Sequence, residues 1–240
     1  MFAEDEAALL VGAASSRDEL DAMVARRVTG EPLEQVIGWA EFAGLRIVVE
    51  PGVFVPRRRT VLLAETAVAL VDDVADPVVV DLCCGTGAVA AAVHAARPDA
   101  RLHAADLDPR AVACARLNLV GIADVHRGDL ADALPGELVG RVDVMVVNAP
   151  YVPTDEIAHL PPEARDHEPW LALDGGPDGV AVHRRVAAQA SPWLRRGGHL
   201  LIETSRRQAG LTLAAMEERG LDGRVVRSDE HDATVVVGTS

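Results

Sequence analysis

Asn148, Ala149, Pro150 and Tyr151 follow directly on Val142 to Val147, a run of apolar and β-branched residues interrupted only by Asp143. Together they offer a side-chain amide, main-chain carbonyls stiffened by a proline, and an aromatic ring. That set suits a planar NH2 group, whose nitrogen is a poor nucleophile because its lone pair is delocalised into the adjoining carbonyl or ring. The Asn148 side-chain oxygen and the Ala149 carbonyl can each accept one of the two hydrogens, with the Tyr151 ring against the flat group. Asn148, Pro150 and Tyr151 are the catalytic candidates, and Asn148 to Tyr151 the substrate-binding ones. The plainer alternative is a turn, since Asn and Pro are common turn formers.

The run before them reads as a strand buried on both faces. Pro150 cannot donate to a sheet ladder, so the chain must leave the sheet there. In an open α/β sheet, ligands bind outside the carboxyl ends of the strands. A second such end is Asp81-Leu82-Cys83-Cys84-Gly85-Thr86-Gly87, a strand running into a glycine-containing turn and a helix. Glycines let a backbone approach a ligand closely, and a helix N-terminus offers free N–H groups. Asp106 lies about 20 residues further on, at the next strand end, where an acidic residue meets ribose hydroxyls. A nucleotide-type cofactor follows. S-adenosylmethionine explains more than a dinucleotide: Asp106 takes the ribose, Asp129 and Leu130 flank the adenine, and Asn148 stands near the sulfonium.

The elements that must carry these loops alternate. Strands are expected at Val78 to Leu82, Leu102 to Ala105, Val125 to Arg127, Val142 to Val147, His199 to Glu203, and near Val225 and Val235. Helices are expected at Thr60 to Val71, Ala88 to Ala96, Pro109 to Leu119, Val180 to Leu194 and Gln208 to Arg219. This is an α/β pattern, a doubly wound and mostly parallel seven-stranded Rossmann-like sheet. Two short helices before residue 30, with Ser16 and Glu19 as a capping box, and β-type runs over 35–55 form an N-terminal extension. The expected division is 1–55 for that extension and 56–240 for the main domain. The long connection 152–179 is read as a substrate-covering segment without regular structure of its own.

Composition narrows the function classes. The chain has 240 residues, 49% apolar and 25% charged, as in a globular domain. A net charge of −14 disfavours a large phosphate-tracking surface, and hence nucleic acid as a partner. All 23 basic residues are Arg, so Schiff-base chemistry on Lys is excluded. Three cysteines without Cys-x-x-Cys spacing indicate neither a zinc site nor a disulfide framework, and no metal is expected. No apolar run is long enough for a membrane span. The first ten residues are acidic where a secretory leader would be basic, so a cytoplasmic location is the default.

The sequence resembles the protein glutamine methyltransferases that modify peptide-chain release factors, over nearly the whole chain from Arg26. The segments that carry the resemblance are RRVTGEPLEQVIGWAEFAGLRIVVEPGVFVPR, DLCCGTGAVA, ADLDPRAVACARLN, NAPY, HEPWLALDGGPDGVAVHRRV and GGHLLIETSRRQ. It implies a methyltransferase sheet with S-adenosylmethionine held by Asp81, Cys83, Cys84, Gly85, Thr86, Gly87, Asp106, Leu107, Asp129, Leu130 and Asn148. It implies a glutamine side-chain amide bound by Asn148 to Tyr151, with Pro56 and Arg57 supporting the rim and Glu168-Pro169 the lid.

Four departures mark a divergent branch. Ala149 replaces the first proline of Asn-Pro-Pro-Tyr, Arg58-Arg59 replaces Pro-Glu, and Cys83-Cys84 replaces Gly-Thr. The stretch before Arg26 is shorter than the helical domain that helps dock the release factor. The expected partner is a protein carrying an exposed glutamine, a release factor or another protein. Two alternatives remain at this stage: methylation of an exocyclic amino group on an RNA or DNA base, and a cofactor-binding protein that has lost catalysis. His126, His159, His167 and His183 are read as surface or structural residues, not as a general base.

Overall fold

A computed structural model describes residues 3–240; Met1 and Phe2, the start of the expected extension, lie outside the described residues. The chain opens with α1 (Ala3–Ala13) and α2 (Arg17–Val28). Ser16 caps α2 by accepting from the Glu19 N–H at 3.2 Å. The return limb of the capping box falls one residue early, because the Glu19 carboxylate takes the Ser15 N–H at 2.7 Å. A short α3 (Leu33–Ile37), absent from the sequence reading, leads into the hairpin β1 (Trp39–Phe42) and β2 (Leu45–Val48).

From there the order is α4 (Val61–Leu70), β3 (Val78–Leu82), α5 (Ala88–Ala96), β4 (Arg101–Asp106), α6 (Pro109–Asn118), β5 (Ala123–Arg127) and β6 (Val142–Val147). After them come α7 (Pro162–His167), α8 (Trp170–Leu173), α9 (Ala181–Ala190), β7 (Leu194–Glu203), α10 (Ala209–Glu217), β8 (Asp222–Ser228) and β9 (Ala233–Thr239). The seven-stranded sheet runs β5-β4-β3-β6-β7-β9-β8. Its first five strands are parallel, and β9 pairs antiparallel with both β7 and β8.

Both faces of the central strands are covered, which is why β3 and β6 are apolar apart from one buried acid each, Asp81 and Asp143. Val79, Val144 and Val146 pack toward α4 and α5, while Val80, Met145 and Val147 pack toward α9 and α10. Phe42 and Ile47 of the hairpin join the first of these cores. The chain leaves β3 toward β4 and leaves β6 toward β7, on opposite sides. The crevice where strand order reverses therefore opens at the carboxyl ends of β3 and β6, where the fold rule places a ligand.

Three expectations are corrected. The helix expected over Val180 to Leu194 stops at Ala190, because Pro192 has no N–H to continue the ladder. Gly197-Gly198 is not a turn before the last parallel strand but lies within it. The pairing of β6 with β7 shifts register between Val142↔Leu194 and Val144↔His199, and a Cβ on Gly198 would stand 2.7 Å from the Val142 carbonyl. The connection 152–179 is also more regular than expected, with a 3-10 turn at Thr154–His159 followed by α7 and α8.

Candidate active site

The loops after β3, β4, β5 and β6 floor a cavity of about 500 Å³, a size usual for small-molecule and cofactor sites. The linker before α4 and the segment from Leu160 to Leu173 form its other walls. Asp81, Cys83, Cys84, Gly85, Thr86, Asp106, Leu107, Asp129, Leu130, Asn148, Ala149, Pro150, Tyr151 and Arg57 all line it, as do Pro56, Glu168 and Pro169.

Gly87 is the exception. It caps α5 at φ +78, and a Cβ there would stand 2.8 Å from Leu119 Cδ1. Its part is to let the loop pack on α6, not to face the cavity. Arg58 is exposed and does not line the cavity, whereas Arg59 does.

The loops after β3 and β4 are built around Asp106. Its carboxylate accepts from the Gly85 N–H and from the Asp108 N–H, both at 2.9 Å, so one side chain ties the glycine turn to the end of β4. Burial raises the Asp106 carboxyl above its usual range, opposed by those two N–H groups. A carboxylate has about four acceptor positions, so two are left for hydroxyl groups. Asp81 is fully buried and accepts from Ala90 N–H at 3.2 Å, inside the first turn of α5. Burial pushes it up to about 7, and the charge of Asp106 adds to the shift. Asp129 is paired with Arg185 at 2.6 Å.

Two non-glycine residues of the cavity wall, Cys83 (φ +56) and Leu130 (φ +51), hold left-handed backbone. Such strain persists only where surrounding structure imposes it, and it gathers at sites. Burial raises the thiols of Cys83 and Cys84, which keeps both protonated and unsuited to nucleophilic work.

At the end of β6, Asn148 Nδ2 donates to Thr60 Oγ1 at 3.2 Å, which leaves Oδ1 as its acceptor. The Tyr151 hydroxyl donates to Glu203 Oε1 at 3.3 Å, and the Tyr151 carbonyl accepts from Gln208 Nε2 at 2.7 Å. The chain's single tyrosine is thus held at both ends. Burial, with the Glu203 charge second, raises its phenol well above the usual range. Across the cavity, Arg57 pairs with the fully buried Glu168 at 2.6 Å, and the Val55 N–H donates to the same carboxylate oxygen at 3.2 Å. That pair joins the rim to the covering segment.

No histidine lines the cavity. His183 is buried with Nδ1 2.9 Å from Thr212 Oγ1, and burial pushes it down to about 4. His103 and His126 stack with ring centroids 5.4 Å apart, away from the cavity.

Sequence reasoning missed four contributors. Thr60 gave no signal beyond its place after the Pro-Arg rim. Glu203 and Gln208 lie in the GGHLLIETSRRQ block, quoted without a role. Asn118 ends ARLN and donates to the carbonyls of Val48 and Thr86, both at 2.9 Å, which locks the hairpin to the glycine turn.

The family model "Methyltransferase small domain" matches residues 44–159, from the hairpin past NAPY. A release factor glutamine methyltransferase of Mycolicibacterium smegmatis is 44% identical over 201 residues, covering 82% of this chain and 70% of the relative. A 4-amino-L-phenylalanine/4-methylamino-L-phenylalanine methyltransferase of Streptomyces pristinaespiralis is 39% identical over 186 residues, covering 75% and 63%. Among solved structures, a release-factor-specific protein-(glutamine-N5) methyltransferase of Alicyclobacillus acidocaldarius aligns with a TM-score of 0.50. That alignment has 23% identity and covers 80% of this chain and 97% of the other, which supports the fold. With identity of this level across most of both chains, and with the cofactor-side and NAPY loops assembled around one cavity, the chain is a methyltransferase of the release factor glutamine methyltransferase family.

Proposed function

We propose that the enzyme transfers a methyl group from S-adenosylmethionine to the side-chain amide nitrogen of a glutamine in a protein substrate, a peptide-chain release factor. The observation that carries this reading is Asn148: its NH2 is taken up by Thr60, so its oxygen is the atom available to an incoming N–H at the cavity wall. The residues present fit the cofactor. Asp106 keeps acceptor positions for ribose hydroxyls, Leu107 and Leu130 offer apolar surface to a purine, and the carboxyls of Asp81 and Asp106 suit a cationic ligand. Bound, S-adenosylmethionine supplies an electrophilic methyl on its sulfonium.

The protein's own part is orientation and charge. Asn148 Oδ1 and the Ala149 carbonyl accept the amide hydrogens, which become more acidic as the nitrogen attacks. The Tyr151 ring sets the plane of the amide. The Arg57–Glu168 pair holds the covering segment over the site, which limits water. Placement of this kind is worth up to roughly 7 kcal/mol or more in well-aligned cases. No general base is needed if the proton leaves after transfer.

The test is incubation of the purified enzyme with methyl-labelled cofactor and a bacterial release factor, followed by mapping of the label. A single methyl on a glutamine side chain is expected, and label on another residue type or on nucleic acid overturns the reading. Asn148→Ala should abolish transfer while cofactor binding stays measurable. A second reading has one observation in its favour: the relative named for 4-amino-L-phenylalanine acts on an amino group of a small amino acid. Parallel incubation with that compound separates the two.

A further inference from the structure

Glu203 is the last residue of β7, next to β6 in the sheet, so it rises beside the loop that begins at Asn148. It is 1% exposed, and a carboxyl so deeply buried needs a reason. Its Oε1 accepts from the Tyr151 hydroxyl at 3.3 Å, and its Oε2 has no hydrogen-bond partner among the described residues. Burial raises its proton affinity, opposed by the Thr60 hydroxyl, the Arg59 charge and the Tyr151 phenol. The groups set against this carboxyl therefore come from the linker before α4 and from the NAPY loop.

The direction of the hydrogen bonds then matters more than their number. A carboxylate only accepts. Thr60 has one hydroxyl proton, and its hydroxyl opposes the rise in the Glu203 proton affinity, which a hydroxyl does by directing that proton to the carboxyl. The Thr60 oxygen is then left to accept, and the group it accepts from is Asn148 Nδ2, at 3.2 Å. The Asn148 amide is thereby oriented with its NH2 toward Thr60 and its oxygen toward the substrate side. If Thr60 were free to donate to Asn148, the amide could turn over and present its NH2 to the substrate's NH2, donor against donor.

We propose that Glu203 is a positioning residue that sets the orientation of the Asn148 amide through Thr60 and the plane of the Tyr151 ring through its phenol. The proposal rests on the reading of Asn148 as the acceptor for the substrate amide. It also assigns a role to the GGHLLIETSRRQ block, whose first acidic residue and final Gln208 hold opposite ends of Tyr151.

The test uses Glu203→Gln, Thr60→Val and Thr60→Ser in the full chain, with the release factor as acceptor. Glu203→Gln and Thr60→Val should lower kcat by about 10-fold or more, one hydrogen bond's worth of misorientation, and leave the cofactor KM within about 3-fold. Thr60→Ser keeps the hydroxyl and should restore kcat. The single tyrosine gives an unambiguous ring signal by NMR. Glu203→Gln should shift that signal and should deprotect the Asn148 side-chain amide, whereas Thr60→Val should affect the Asn148 amide alone. Thr60→Val is isosteric and keeps the test open if Glu203→Gln does not fold. Wild-type kcat in Thr60→Val, or unchanged Tyr151 and Asn148 signals in Glu203→Gln, overturns the proposal. Failure of the wild-type enzyme to methylate the release factor overturns the proposed function instead, and the NMR readouts still decide this inference.

Discussion

Gly175 packs so closely on Tyr151 that a Cβ at position 175 would stand 2.7 Å from the Tyr151 Cα. The contact belongs to a short parallel bridge, Val152 against Asp174, in which the Gly175 N–H donates to the Val152 carbonyl at 2.8 Å. Gly179 does the same from the other side at φ +74, where a side chain would collide with the Tyr151 carbonyl and Gln208. The returning end of the 152–179 connection is therefore pressed directly onto the NAPY loop.

Gly175→Ala should consequently damage the site without adding an atom to the cofactor loops. The overpacking should destabilise the fold by about 1–3 kcal/mol. Turnover should fall by more than cofactor affinity does. Thermal melts beside steady-state kinetics check this, and an unchanged melting temperature would show that the loop relaxes freely.

Asp106→Ala removes the carboxylate that joins the Gly85 N–H to the end of β4. On the proposed function two losses follow, an acceptor for ribose hydroxyls and the geometry of the glycine turn. Hydrogen bonds to charged groups are worth about 1.5–3 kcal/mol, so S-adenosylmethionine should bind on the order of 10- to 100-fold more weakly. Calorimetric titration measures this, and wild-type affinity would remove Asp106 from the cofactor site.

The rim and the covering segment are joined by the ion pair of half-buried Arg57 with buried Glu168. Arg57→Met leaves the Glu168 carboxylate buried with only the Val55 N–H to accept from, after burial has already raised its proton affinity. Orphaning a buried charge costs about 3–5 kcal/mol, less where the removed partner is a third exposed, as Arg57 is. The double variant Arg57→Met, Glu168→Gln should recover part of the loss, because the uncompensated charge is gone. Denaturant unfolding of the three proteins decides it, and a double variant no more stable than Arg57→Met contradicts the account.

Much of this was legible before the fold. The ends of β3 and β6 were visible because strands buried on both faces read as largely apolar runs, stopped by Cys83 and Asn148, and the end of β4 because the short run Leu102 to Ala105 meets Asp106. The loops that follow therefore sat on the correct edge of the sheet, and only Gly87 faces the core instead of the cavity. What stayed hidden depends on contacts between distant segments. Thr60 and Glu203 lie 88 and 52 residues from the Asn148 and Tyr151 they touch, and neither carries a local pattern. The early end of α9 and the bulge at Gly198 were missed because Gly197-Gly198 reads locally as a turn. Only the Val142 carbonyl beside Gly198 shows that the strand continues through it.

Cys83 and Leu130 share left-handed backbone but not surroundings, so glycine substitution should separate them. At Cys83 (φ +56) glycine relieves the strain and removes a half-buried thiol, leaving stability within about 1 kcal/mol of wild type. At Leu130 (φ +51) the same relief is outweighed by the loss of a side chain buried against the α9 side of the sheet, a cost of roughly 2 kcal/mol or more. Equal effects at the two positions would mean that side-chain burial does not separate them.

The last prediction concerns pH. Asp81 is buried beneath the glycine turn, and its carboxyl is pushed from 3.8 up to about 7, by burial first and then by the charge of Asp106, against the Ala90 N–H. An acid whose folded-state value is raised binds its proton more tightly when folded than when unfolded. Below pH 3.8 it is protonated in both states and contributes no slope. Between that point and about pH 7 the folded protein keeps a proton that the unfolded chain has lost, so stability falls as pH rises. The fall is up to about 1.4 kcal/mol per unit, and above the window the contribution levels off at its lowest. Asp81→Asn is neutral throughout and keeps an oxygen for the Ala90 N–H, so it should lack this slope. The variant should gain on the wild-type protein steadily from acid to neutral pH. Denaturant midpoints of the two proteins across that range measure the difference, and a gap that stays constant or narrows as pH rises would mean that Asp81 is ionised in the folded state.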